Sequence, residues 1–133
     1  MADPRPIGVF DSGVGGLTVL REMLRRSPAE STIYLGDNAR APYGTRTDDE
    51  VRAFSTEAID ALVERDVKAI VVACNTSSAV AIGDLRRRYA QPRIGCAIVA
   101  VTGQDKGGDE RANNCAGLVE RLLQTERPAL ADT

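Results

Sequence analysis

The stretch "VKAIVVACNTSSAVA", residues 67–81, decides how the rest of the chain is read. Its first half, Val67 to Ala73, is short, β-rich and nearly continuous in apolar side chains, as a strand buried on both faces should be. At Cys74 to Ser78 the chain turns small and polar, and Val80, Ala81, Leu85 and Tyr89 then follow at helical spacing. The same apolar signature recurs in "PIGVF" (6–10), "STIYLG" (31–36) and "RIGCAIVAV" (93–101), each expected as a buried strand. Between these runs lie two further helical patterns, Leu17, Leu20 and Leu24 in one and Val51, Phe54, Ala58 and Leu62 in the other. Thr47 and Glu50 have the spacing of a capping box, with Asp48 and Asp49 at the positive end of the helix dipole, so the second helix is expected to begin there.

Alternating strands and helices predict an α/β fold: an open parallel sheet of about four strands with flanking helices and right-handed crossovers. In such sheets the ligand crevice lies outside the carboxyl ends of the strands. After Val101 the character changes: "TGQDKGGDERANN" is polar and glycine-containing, and Cys115, Leu118, Val119, Leu122 and Leu123 form one more amphipathic stripe. The expected division is therefore 1–101 as the α/β unit and 102–133 as a polar loop plus amphipathic helix with frayed final residues.

Composition narrows the function. With 133 residues, 43% hydrophobic and 27% charged, the chain fits one globular domain. A net charge of -2 makes no electrostatic case for nucleic acid or an anionic membrane, which leaves small molecules as the expected partners. No run approaches the roughly 18 apolar residues that span a bilayer, and "MADPRPIG" lacks the features of a secretion signal, so a cytoplasmic location is expected. Three cysteines without metal-type spacing argue against a disulfide framework. With no histidine, acid–base chemistry falls to cysteine, carboxylate, tyrosine or lysine.

Three loops should meet at the carboxyl edge: "DSGVGG" (11–16), "GDNARAPYGTR" (36–46) and "CNTSS" (74–78). Asp11 follows its strand as Cys74 follows its own, so a carboxylate and a thiol are expected to face one small polar pocket. Read plainly, "DSGVGG" is a tight turn with a capping Asp or Ser; as a phosphate loop it lacks a third glycine where Thr18 stands. Cys74 is either a small buried hydrophobe or a thiolate supported by the amides opening the next helix, and its position favours the second reading. Asn75, Thr76, Ser77 and Ser78 offer donors for a carboxylate, although a serine there also makes an ordinary N-cap. Pro42 and Gly44 alone explain a turn, Tyr43 fits simple packing, and Arg40 and Arg46 are either solvated charges or partners of an acidic ligand. Cys96 and Cys115 read as core.

Taken together, "IGVFDSGVGGLTVLREM", "YLGDNARAPYGTR" and "VVACNTSSAVA", in this order and spacing, resemble the glutamate racemase family over roughly residues 6–95. The resemblance implies a cofactor-independent isomerase that interconverts L- and D-glutamate for bacterial peptidoglycan, glutamate being the expected substrate and aspartate the less favoured one. It also implies one lobe of a two-lobed fold, with the active site between the lobes and a cysteine from each on opposite faces of the substrate. Cys74 matches the first-lobe cysteine and Asp11 the carboxylate that assists it. Ser12, Pro42, Tyr43, Gly44, Asn75 and Thr76 match the substrate-binding positions. Neither lysine, Lys68 or Lys106, sits in a recognisable pyridoxal-phosphate setting, and no cofactor or metal is expected.

The family's second cysteine lies in a Cys-Thr-His motif that a chain without histidine does not carry, and no family similarity is read from about Ala97 onward. The expectation is thus a truncated or rearranged racemase holding one half-site, inactive as a monomer. A homodimer that sets Cys74 against Cys74, or Cys96 in place of the missing base, would restore two bases. The alternative from another class is a non-catalytic binding module for an acidic amino acid or a protein partner.

Overall fold

A computed structural model describes residues 3–89, 97–100 and 117. Four strands, β1 (Ile7–Asp11), β2 (Thr32–Gly36), β3 (Ala69–Val72) and β4 (Ala97–Ala100), form one sheet in the order β2-β1-β3-β4. Every pairing is parallel, with Ile7 beside both Thr32 and Ala69, and Ala69 beside Ala97. The expected class and strand number are therefore those observed. The predicted stripe of 102–133, Cys115 included, and Cys96 lie outside the described residues, apart from residue 117.

Helices α1 (Leu17–Arg26), α2 (Asp48–Glu64), α3 (Asn75–Val80) and α4 (Ile82–Arg88) connect the strands. They divide between the two faces of the sheet. Ile7, Val9, Ala69, Val71 and Ala73 pack with Val19 and Met23 of α1. Phe10, Ile70 and Val72 point the other way, into a larger cluster with Val51, Ala58, Ile59 and Leu62 of α2 and with Ala81, Leu85 and Tyr89. Strand alternation sends successive side chains to opposite faces, so continuous apolar runs such as "IGVF" and "AIVV" are what a two-sided core requires. Each Val, Ile or Phe so buried contributes about 1.5–3 kcal/mol relative to exposure.

Three expectations are corrected. On α1 the buried residues are Val19 and Met23, one turn apart, with Leu20 partly buried beside them. Leu17 and Leu24 follow a different stripe, two turns apart, and remain 47% and 43% exposed. Strand β2 is half-buried along its whole length because, among the described residues, it is an edge strand with β1 on one side only. The third helical pattern is two helices that meet at Ala81, whose backbone relaxes to φ -109°, ψ -11°. The buried face is nonetheless continuous through Ala81, Leu85 and Tyr89.

The capping box is present as expected: the Thr47 side chain accepts from the Glu50 amide at 3.2 Å, and Glu50 accepts from the Thr47 amide at 3.3 Å. Between α2 and α3, the hydroxyls of Ser55 and Ser77 meet at 2.8 Å, both fully buried. At the amino edge of the sheet, buried Lys68 pairs with Glu30 and donates to the Asp3 carbonyl at 2.7 Å. Among the described residues no helix is long and apolar enough to cross a membrane, and no cluster of His, Cys, Asp or Glu could hold a metal ion.

Candidate functional site

The chain leaves β1 toward β2 on one side, then crosses back so that β3 pairs with the other side of β1. This reversal opens a crevice at the carboxyl ends of β1 and β3. Asp11 ends β1, and Cys74 stands two residues beyond β3. A cavity of about 250 Å³ lies there.

The eight residues that the family resemblance assigned line it: Asp11 and Ser12 from the first loop, Pro42, Tyr43 and Gly44 from the second, Cys74, Asn75 and Thr76 from the third, whereas Ser77 and Ser78 do not. Gly15, Thr18, Val19 and Ala73 complete the wall and were not singled out. Gly15 and Ala73 adjoin the quoted motifs. Thr18 and Val19 were hidden because they belong to the opening turn of α1, whose rotation depends on its packing against the sheet.

Asp11 is buried, and its Oδ2 accepts from the amides of Gly16 at 2.9 Å and Gly13 at 3.2 Å. The helix α1 has no side-chain cap from its own N-cap residue, Gly16, so the Asp11 carboxylate satisfies that orphan amide instead. A Cβ on Gly16 would stand 2.7 Å from the Asp11 Cβ, which explains why glycine occupies the position. Among the described residues the other carboxylate oxygen accepts no hydrogen bond. The capping reading of Asp11 and its placement in the pocket therefore hold together.

Tyr34 clamps the same loop by donating to the Gly13 carbonyl at 2.7 Å. Burial, and secondarily the Asp11 charge, pushes the Tyr34 phenol up from its ordinary 10 to about 12. In the second loop, after the cis Ala41–Pro42 bond, a 3₁₀ turn spans Tyr43–Thr45. The buried Tyr43 ring lines the cavity, but its hydroxyl donates away to Asp37. Burial raises the Tyr43 pKa above its ordinary value, and hydrogen bonding to Asp37 raises it further. Asp37 also accepts from Arg40 Nε at 2.7 Å, and the Arg40 guanidinium lies 4.0 Å over the Phe54 ring while reaching Glu57. Arg46 pairs with Glu50 at 3.5 Å. Neither arginine lines the cavity; each is paired with acidic side chains of the chain itself.

Cys74 is the N-cap of α3: its Sγ accepts from the Ser77 amide at 3.4 Å, and its carbonyl accepts from the Ser78 amide at 2.9 Å. The side chain is 3% exposed, so the sulfur meets solvent only through the cavity. Opening helix amides have no intrahelical acceptor, so those of Asn75 and Thr76, with their side chains, supply donors along this wall. Among the described residues Asp11 is the only charged side chain lining the cavity.

The chain is similar to glutamate racemases. Glutamate racemase of Bifidobacterium longum (strain DJO10A) is 45% identical over 107 residues, 80% of this chain and 40% of that protein. The crystal structure of glutamate racemase from Thermus thermophilus in complex with beta-chloro-D-alanine superposes with a TM-score of 0.66 at 47% identity, over 76% of this chain and 38% of that one. The matched part of the chain belongs to the glutamate racemase family. A third relative, glutamate racemase from Francisella tularensis in complex with D-glutamate, superposes at TM-score 0.67 with 31% identity over 94% of this chain and half of its own. No family model matches the chain. The Bifidobacterium alignment is longer than the stretch 6–95 read from the motifs, and the chain spans 40% of that relative's length.

Proposed function

We propose that the cavity is a glutamate half-site in which Cys74 exchanges the proton on the substrate Cα. The observation that carries this is the convergence of three loops on one 250 Å³ cavity whose wall holds a thiol, a buried carboxylate and a set of neutral donors. The family's name and the D-glutamate complex of the Francisella relative support the choice of substrate.

In this reading Ser12, Pro42, Tyr43, Gly44, Asn75 and Thr76 hold the substrate, and Asp11 is the carboxylate that assists the Cys74 thiol. The Cys74 thiolate takes the Cα proton, the electron pair passes into the adjacent carboxylate, and a proton then returns to Cα. Return from Cys74 regenerates the starting enantiomer. Inversion requires a donor on the opposite face, supplied by a second copy of the chain or by protein beyond the described residues. The chemistry calls on no cofactor, and D-glutamate supply for peptidoglycan, in the cytoplasm, is the role that follows from it.

Proton NMR of L- and D-glutamate in heavy water, following Cα deuteration and inversion together, tests the proposal with Cys74→Ala as control. Deuteration that the control abolishes is the expected result. Deuteration without inversion identifies a one-base half-site, and both together identify a second base. No exchange in either enantiomer refutes the catalytic reading and leaves a binding module for an acidic amino acid.

A further inference from the structure

Two buried serines, Ser77 at the end of the third loop and Ser55 on α2, connect the cavity's sulfur to the core. Ser77 uses its amide on Cys74 Sγ at 3.4 Å and its hydroxyl on Ser55 Oγ at 2.8 Å. Ser55 lies on α2 among Val51, Ala58 and Ile59, a face that is otherwise apolar, and both serines are 0% exposed. Isolated buried hydroxyls are costly, so a pair inside an apolar cluster stands only because each satisfies the other.

The pair also carries direction. Helix α3 has only six residues and begins at the sulfur, and its first turn carries little helical stability of its own. Ser78 fastens that turn to β3 by donating from Oγ to the Val72 carbonyl at 3.2 Å. Ser77 fastens it to α2. These two side chains pin the turn from opposite sides, and the Ser77 amide is the group aimed at the sulfur.

We infer that Ser55 is a positioning residue for Cys74: through the Ser77 hydroxyl it fixes the amide that faces Sγ. The inference rests on Cys74 being the reacting group of the proposed half-site, but it concerns the sulfur's own reactivity and is read without substrate. The thiolate is the species alkylated, and an amide donor at Sγ supports negative charge there, so a loosened Ser77 turn slows alkylation.

The test is the rate of Cys74 alkylation by iodoacetamide at fixed pH in the full 133-residue chain, read by peptide mass mapping so that Cys96 and Cys115 are counted separately. Ser55→Ala should slow Cys74 by about threefold or more, roughly what losing one hydrogen bond is worth. Because that variant strands the Ser77 hydroxyl and loses stability, the decisive protein is the double variant Ser55→Ala with Ser77→Ala. Replacing both partners restores apolar consistency, so its melting temperature recovers while the slowed alkylation persists.

Thr47→Ala, which weakens the α2 cap at a residue outside the cavity, should leave the rate unchanged. A double variant that alkylates at the wild-type rate or faster overturns the inference and reduces the pair to core filling. Failure of Cys74 to react in the unaltered chain overturns it as well. Failure of glutamate to exchange deuterium, with alkylation behaving as stated, would instead remove the catalytic reading and leave the positioning intact.

Discussion

Replacing Asp11 should unfasten the first loop before it affects any chemistry, and the size of the loss follows from the atoms involved. Its Oδ2 accepts two backbone amides, Gly16 at 2.9 Å and Gly13 at 3.2 Å, from within a site only 8% exposed. Hydrogen bonds to a charged acceptor are worth about 1.5–3 kcal/mol each, against about 0.5–1.5 for neutral ones. Asp11→Asn can keep both contacts through its amide oxygen at neutral strength and should lose about 1–3 kcal/mol. Asp11→Ala leaves both amides without a partner and should lose about 3–5 kcal/mol, a large share of the roughly 5–15 that holds a domain together. Urea titrations of the three proteins measure this directly, with an unchanged slope showing that the same surface is exposed on unfolding. Equal midpoints for Asn and Ala, or an Ala variant within about 0.5 kcal/mol of wild type, would refute the idea that the carboxylate holds the loop.

Gly36 faces the Gly13 carbonyl so closely that an added Cβ would stand 2.6 Å from it; Gly36→Ala should therefore cost about 1–3 kcal/mol by urea titration, and an unchanged midpoint would show that the loop yields freely. Thr47→Ala removes the capping box and should lower stability by about 0.5–2 kcal/mol, measured the same way. Tyr34 holds its proton up to about pH 12 in the fold and to about 10 when unfolded, so its contribution is full below pH 10 and is lost as pH rises toward 12. Urea midpoints at pH 9, 10 and 11 should fall, and fall less steeply in Tyr34→Phe; identical slopes would assign the alkaline loss to other groups.

What the sequence made legible was whatever depends on neighbours along the chain. The strands of β1 and β3, the capping box at Thr47 and Glu50 and the three loops all rest on local pattern, and each is where it was expected. Rotation of α1 was not legible, because Leu17, Leu20 and Leu24 form as good a stripe on paper as Val19 and Met23, and only the sheet decides between them. The half-buried β2 follows from its edge position, a property of strand order that local pattern does not carry. Tyr43 lines the cavity, but the partner of its hydroxyl, Asp37, is fixed by a turn whose geometry six residues of sequence do not reveal. Ser55 was least visible of all: 22 residues separate it from Ser77, and a serine on a helix face reads as solvated until the opposing serine is found.

The strands of this sheet have two ends with different neighbours. Lys68, Glu30 and the Asp3 carbonyl occupy the amino end, while the cavity occupies the carboxyl end. Between the two runs a layer of valine, isoleucine and phenylalanine that, among the described residues, holds no charged group. An engineer can therefore use the amino end as a handle: exchanges of the Lys68–Glu30 pair for matched apolar residues retune how long the protein survives heating while leaving the composition of the cavity wall as it was.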